Sequence, residues 1–329
     1  MRIEAMEFYG LLKEFRHAGF FETEHHRRLF RQIKADILKG SVIAVSGMIG
    51  SGKTVTLRKL KQTLTREGHI FVARSLMVEK QKVQVSTLIS ALFFDLQRSD
   101  KLHRSDKVQI PFQGERRERM LIELIRQERM PVVLFVDEAH DLPFQTLKDM
   151  KRVMETVNDS GATLSILLAG HPKLTNDLKR MNMQEIGPRT ASYSLDGAID
   201  SRRQYIEWLL SECLHDELSP LDVLESDAID LLAEKLVTPL QIEQHLKLAF
   251  EAGHDINEKP VSAEVVLTIL SNAIGNLEAT LTRLGYDHRS IAGLLNVSTA
   301  EARQFVSGCL EAPRAHELHE QLLVVGLPV

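Results

Sequence analysis

Between Thr23 and Gly40 the apolar residues Leu29, Phe30, Ile33, Ile37 and Leu38 fall at helical spacing, and Gly40 supplies a stop. A short apolar run, Ser41 to Ser46, then predicts a strand that ends at a glycine, and Lys53 to Arg66 predicts a helix with a basic face. Ile70 to Ser75 reads as a second strand, and the segment through Thr87 to Leu96 as a helix carrying Leu88, Ile89, Leu92, Phe93 and Leu96. Ser99 to Gly114 is polar and reads as a connection, and Glu115 to Gln127 as an amphipathic helix. The strongest strand pattern is Pro131 to Val136, apolar on both faces. Thr163 to Leu168 repeats it after a helix at Phe144 to Asn158. Strands without polar alternation belong in a parallel sheet covered by helices on both sides, so the expected class is α/β. From Ile199 onward helical periods dominate, through Arg202 to Leu214, Ser226 to Leu236, Leu240 to Ala252 and Ser262 to Ala273. The expected division is 1–198, an α/β domain with an N-terminal extension; 199–270, helical; and 271–329, a small helical C-terminal module.

Composition narrows this little. The 329 residues are 43% apolar and 26% charged, as in ordinary globular chains. Cys213 and Cys309 lie far apart, which argues against a zinc module and fits thiols in a reducing compartment. No export signal or long apolar run is visible, so a cytoplasmic location without a membrane span is expected. With 41 basic against 45 acidic residues the formal charge is -4, so any nucleic-acid contact must be local.

Gly47-Met48-Ile49-Gly50-Ser51-Gly52-Lys53-Thr54 matches the phosphate-loop pattern G-x-x-x-x-G-K-[ST] between a predicted strand and a predicted helix. Glycines there let backbone N–H groups face phosphates at a helix N-terminus, Lys53 reaches the β and γ phosphates, and the Thr54 hydroxyl suits a Mg²⁺ shell. Asp137 and Glu138 close the strongest strand, with Asp137 placed to hold Mg²⁺ and Glu138 to polarise an attacking water. ATP and Mg²⁺ are therefore the expected cofactors. His140 fits either a link to nucleotide state or a simple helix start. His171, just beyond Thr163 to Leu168, is the candidate γ-phosphate sensor. In Lys179 to Arg189 an arginine could stabilise transition-state charge in a neighbouring subunit, Arg189 first and Arg180 second.

Phe8-Tyr9-Gly10-Leu11, the phosphate loop, Asp137-Glu138-Ala139-His140 and Leu168-Ala169-Gly170-His171-Pro172-Lys173-Leu174 together resemble the AAA+ ATPases of the ExeA-like group, over about Phe8 to Ala252. That group is similar to the transposition regulators MuB, TnsC and IstB. The resemblance implies a P-loop AAA+ core, an α-helical lid after Ala198, and an ATP-dependent homo-oligomer, a ring or helical filament. Its lid motif, Gly-x-Pro-Arg, is replaced here by Val237-Thr238-Pro239-Leu240-Gln241, without an arginine, which points to slow, assembly-coupled ATP hydrolysis. The stretches 237–260 and 277–305 look like ExeA-type ATPases encoded beside transposases. They imply double-stranded DNA and a transposase as partners; a secretion-associated ATPase and a nucleotide-switched regulator without DNA contact are the alternatives.

For DNA, Lys80 and Lys82, with Arg74 behind them, lie on a loop whose position resembles the DNA-contacting surface of related oligomers. Repetition around an assembly would turn two or three cations into a phosphate-tracking stripe. Lys101, Arg104 and Lys107 make a second basic loop; Arg116, Arg117 and Arg119 read as a solvated helix face. Ser290 to Arg303 resembles helix-turn-helix spacing, with a turn near Asn296 and a second helix capped by Ser298. Its surroundings from Ser271 to Val329 hold four Arg, five Glu and one Asp, net -2, so a DNA reader and a protein-docking module both fit. The tail Leu322 to Val329 is apolar and could dock on its own core or on a partner.

Overall fold

Five strands make one all-parallel sheet in the order β2-β3-β4-β1-β5: β1 Val42–Ser46, β2 Phe71–Arg74, β3 Val132–Val136, β4 Leu164–Gly170 and β5 Thr190–Ser194. The computed structural model describes residues 1–74, 85–97, 111, 113–178, 190–271, 277–283 and 285–324. They group into a sheet unit, residues 26–47 and 53–195, and a helical unit, residues 1–25, 48–52 and 196–329.

In the sheet unit every residue of β1, β3 and β4 is buried, which explains why these strands lack polar alternation. Successive side chains leave a strand on opposite faces. Val42, Ala44, Val132, Leu134, Val136, Leu164, Ile166 and Leu168 share one face with helices α4 (Val85–Gln97), α5 (Gly114–Glu128) and α6 (Phe144–Asp159). Helices α2 (Glu24–Leu38) and α3 (Lys53–Glu67) bury Leu29, Ile33, Ile37, Leu57, Leu60 and Leu64. Ser165, fully buried on β4, is satisfied by donating to Ile37 O at 2.8 Å and accepting from Ser41 N at 3.1 Å. β5 escapes the hydrophobic pattern. Its sequence, Thr-Ala-Ser-Tyr-Ser, is half-exposed at the sheet edge, and the strand exists because backbone pairing to β1 runs from Val42↔Thr190 to Ser46↔Ser194. A short helix, α7 (Pro172–Leu178), follows β4.

The helical unit begins with α1 (Ile3–Tyr9) and continues with α8 (Arg202–Cys213), α9 (Ser226–Lys235), α10 (Pro239–Asp255) and α11 (Ala263–Ser271). Residues 1–25 belong to this unit. Tyr9 and Phe15 sit in one apolar cluster with Leu209, Leu246 and Phe250, and the buried Tyr9 hydroxyl donates to Glu258 O at 2.7 Å. Burial pushes that phenol up to about 12. The remaining helices, α12 (Leu277–Arg283), α13 (His288–Leu295), α14 (Thr299–Val306) and α15 (Ala312–Val324), build a separate cluster around Ile291, Leu295, Phe305, Leu318 and Leu322.

Candidate nucleotide site

β1 ends at the buried Ser46, and its backbone is continued by Gly47, whose N–H donates to Gly170 O at 3.2 Å at the end of β4. Lys53 opens α3 and is buried, its Nζ donating to Gly47 O at 2.6 Å. An ammonium drawn into the mouth of its own loop is placed to meet phosphate oxygens at a helix N-terminus. Thr54, the next residue, is exposed.

The intervening residues Met48–Gly52 group with the helical unit. Met48 N donates to Asp196 Oδ1 at 2.8 Å, and Leu240 N donates to Gly50 O at 3.2 Å. The first turn of α10 thus meets the loop through backbone. That turn is fixed by Thr238, whose side chain accepts from Gln241 N while the Gln241 side chain accepts from Thr238 N, with Pro239 at the first helical position. Gly50 (φ +82) admits no side chain: a Cβ would stand 2.7 Å from Leu240 Cβ and 3.0 Å from Thr238 Oγ1. Gly52 also lies at positive φ, +85, but in open space. The stretch lacking an arginine is therefore occupied by a main-chain contact from Leu240. The Met48 side chain packs against the cluster of α12 to α15. Ser51 Oγ is buried without a partner among the described residues, a polar group suited to an anion in the loop.

In the sheet unit β3 runs directly beside β4, so Asp137 and His171 follow adjacent strands. Asp137 Oδ1 accepts from Glu138 N at 2.9 Å. Glu138 adopts φ +51, ψ +40, an uncommon conformation for a side-chain-bearing residue, and its carboxylate is exposed. Such local strain is retained where surrounding structure holds it and often coincides with function. His140 lies on the 3-10 turn Ala139–Asp141, and its ring meets that of His171 edge-on at 4.1 Å. Gly170 makes room for this: a Cβ there would come within 3.2 Å of both His140 N and His140 Nδ1. One glycine thereby joins the start of the phosphate loop, the end of β4 and the turn after Asp137-Glu138. Burial, assisted by the charges of His140 and Lys53 and opposed by Glu138, pushes the His171 imidazole down to about 4. It is neutral at pH 7, and its buried Nδ1 has no partner among the described residues.

Within the sheet unit the donor set fits Mg²⁺ with a nucleoside triphosphate: Lys53 for phosphates, Thr54 and Asp137 for the metal. Among the described residues no cluster of three or more His, Cys, Asp or Glu is arranged to hold a metal.

Lys80, Lys82, Arg180, Arg189, Lys101, Arg104 and Lys107 lie outside the described residues, and Arg74 is the last residue of β2. Arg116 and Arg119 are exposed on α5, and Arg117 Nε donates to Pro111 O at 2.9 Å. Sequence reasoning missed Asp196 and Gly170. Neither sits in a phosphate-loop or strand-end carboxylate motif; the Met48 N–H on Asp196 Oδ1 and the Gly47 N–H on Gly170 O are what place them at the loop.

Residues 37–178 match the model of a family described as an AAA domain. No curated protein matches the chain. Among solved structures, the ORC2 protein of Aeropyrum pernix, in ADPNP-ADP complexes, is 15% identical with a TM-score of 0.53, covering 97% of this chain and 91% of that one. Cdc6p from Pyrobaculum aerophilum is 14% identical with a TM-score of 0.52, covering 96% and 89%. Drosophila ORC bound to DNA is 16% identical with a TM-score of 0.53, covering 98% and 83%. At these identities the likeness is one of fold. No helix among the described residues is long and apolar enough to cross a membrane.

Proposed function

We propose that this protein is a cytoplasmic AAA+ ATPase that assembles on double-stranded DNA when it holds ATP and Mg²⁺, and that it recruits or activates a transposase. The observation that carries the ATPase reading is the buried Lys53 ammonium on Gly47 O, with Asp137, Glu138 and a neutral His171 at the ends of the two neighbouring strands β3 and β4. The match of 37–178 to an AAA domain supports it. Bound Mg²⁺ would supply charge neutralisation at the γ-phosphate. In this reading Lys53 and the amides of Gly47–Thr54 orient the phosphates, Thr54 and Asp137 hold the metal, Glu138 accepts a proton from the attacking water, and neutral His171 donates one hydrogen bond. Arg189 completes a neighbour's site, and Lys80, Lys82 and Arg74 track DNA phosphates. The Leu240 N–H on Gly50 O, where a lid arginine would act, supports slow turnover with ATP working as an assembly switch. A DNA-bound complex of similar fold supports the choice of partner.

The test measures ATP hydrolysis, duplex binding and particle size in one preparation. Lys53→Ala is expected to lose nucleotide binding, and Glu138→Gln to bind ATP while hydrolysing it about 10² to 10³ times more slowly, the range for losing one transition-state contact. ATP binding without any ATP-dependent growth in size on duplex DNA would defeat the assembly reading. Fast multiple turnover by monomers would defeat the switch.

A further inference from the structure

Helices α13 and α14 are joined by three residues, Asn296, Val297 and Ser298. Asn296 takes the left-handed conformation (φ 54, ψ 42), Val297 N bonds back to Ala292 O at 3.0 Å, and Ser298 Oγ accepts from Glu301 N at 3.1 Å to start α14. A short helix, a tight left-handed turn and a capped second helix is the arrangement with which helix-turn-helix proteins present a reading helix. The inner faces are consumed by packing: Ile291, Ala292, Leu295, Ala302, Phe305 and Val306 share a core with Leu318 and Leu322 of α15.

What remains outside on α14 and its two ends is Ser298, Thr299, Ala300, Arg303, Gln304 and Ser307, all exposed. The one acidic residue of α14, Glu301, is drawn aside by Arg314 of α15 at 2.9 Å. The net acidity of the C-terminal segment is thus absent from this face, which carries a single cation and small polar groups. At about 1.5 Å per residue, a helix of this length is about as long as the major groove is wide. Arginine pairs with guanine edges, glutamine with adenine edges, and alanine or a threonine methyl with the thymine methyl. Arg289, exposed on α13, is available to a phosphate.

We propose that α14 is a sequence-reading helix for the DNA major groove, with Thr299, Ala300, Arg303 and Gln304 facing base edges. This contact is separate from the sequence-independent one assigned to Lys80 and Lys82, and it does not require nucleotide. The full chain is incubated with a randomised duplex pool, with and without a non-hydrolysable ATP analogue, and bound duplexes are sequenced. A short motif is expected to enrich in both conditions. Arg303→Ala and Gln304→Ala are each expected to weaken binding to the selected duplex about tenfold and to relax preference at one base pair, while unselected duplex binds within about twofold of wild type. Both side chains are exposed, so the variants fold; circular dichroism confirms it. Failure of any motif to enrich overturns the proposal, as does an enriched motif bound equally by both variants; either result gives the face to a protein partner or to solvent. An enriched motif without nucleotide-driven assembly would sustain α14 as a reader and defeat the ATPase switch instead.

Discussion

The phosphate loop and the turn between α13 and α14 both place the backbone in the left-handed region, for different reasons. Gly50 is crowded: its missing Cβ is what lets Leu240 and Thr238 approach. Asn296 is exposed and carries its side chain into open water while the chain reverses. Backbone conformation alone therefore does not distinguish a ligand-binding loop from a plain turn. What sets Gly50 apart is that the Leu240 and Thr238 side chains stand where its Cβ would be, whereas Gly52 of the same loop lies in open space.

The largest expected effect lies in the C-terminal cluster, where Phe305→Ala should cost about 3–5 kcal/mol of local stability. Hydrogen exchange should accelerate across α13 to α15 and leave β1, β3 and β4 protected; uniform acceleration would show that the cluster does not open by itself. Next comes the comparison of turns. Gly50→Ala meets both a left-handed φ and the Leu240 Cβ, and should destabilise the chain by about 1–3 kcal/mol. Asn296→Gly should change stability by less than about 1 kcal/mol in either direction. Thermal unfolding of the two variants side by side checks this, and equal shifts would erase the distinction.

The smallest effect concerns His171. Its pKa is held at about 4 against an ordinary 6.5, so between these values the unfolded chain binds more protons than the folded one. Stability should therefore fall as pH drops from 6.5 toward 4, through this group, and be unaffected by it above 6.5. The causes are burial first, then the positive charges of His140, Lys53 and Lys173, with Glu138 opposing. His171→Gln should flatten the slope of melting temperature against pH in that window; an unchanged slope would place the titration elsewhere.

The fold was largely legible because β1, β3 and β4 bury both faces and are written as unbroken apolar runs. β5 was not, since an edge strand with half-exposed positions needs no such run. The same asymmetry holds at the site. Lys53, Asp137 and Glu138 sit in motifs whose spacing makes them candidates from sequence, whereas Asp196 and Gly170 reach the loop only through where the chain brings them.

The sequence by itself determined the parallel sheet, the phosphate-loop residues and the carboxylates at a strand end, since period and spacing encode which side chains are buried and which follow a strand. Only the tertiary structure decided that residues 1–25 pack with the helical unit, that Leu240 N meets Gly50 O, and that Gly170 admits His140. Those are contacts between segments remote in the chain. They depend on how packed elements leave space for one another, and no local pattern of residues records that.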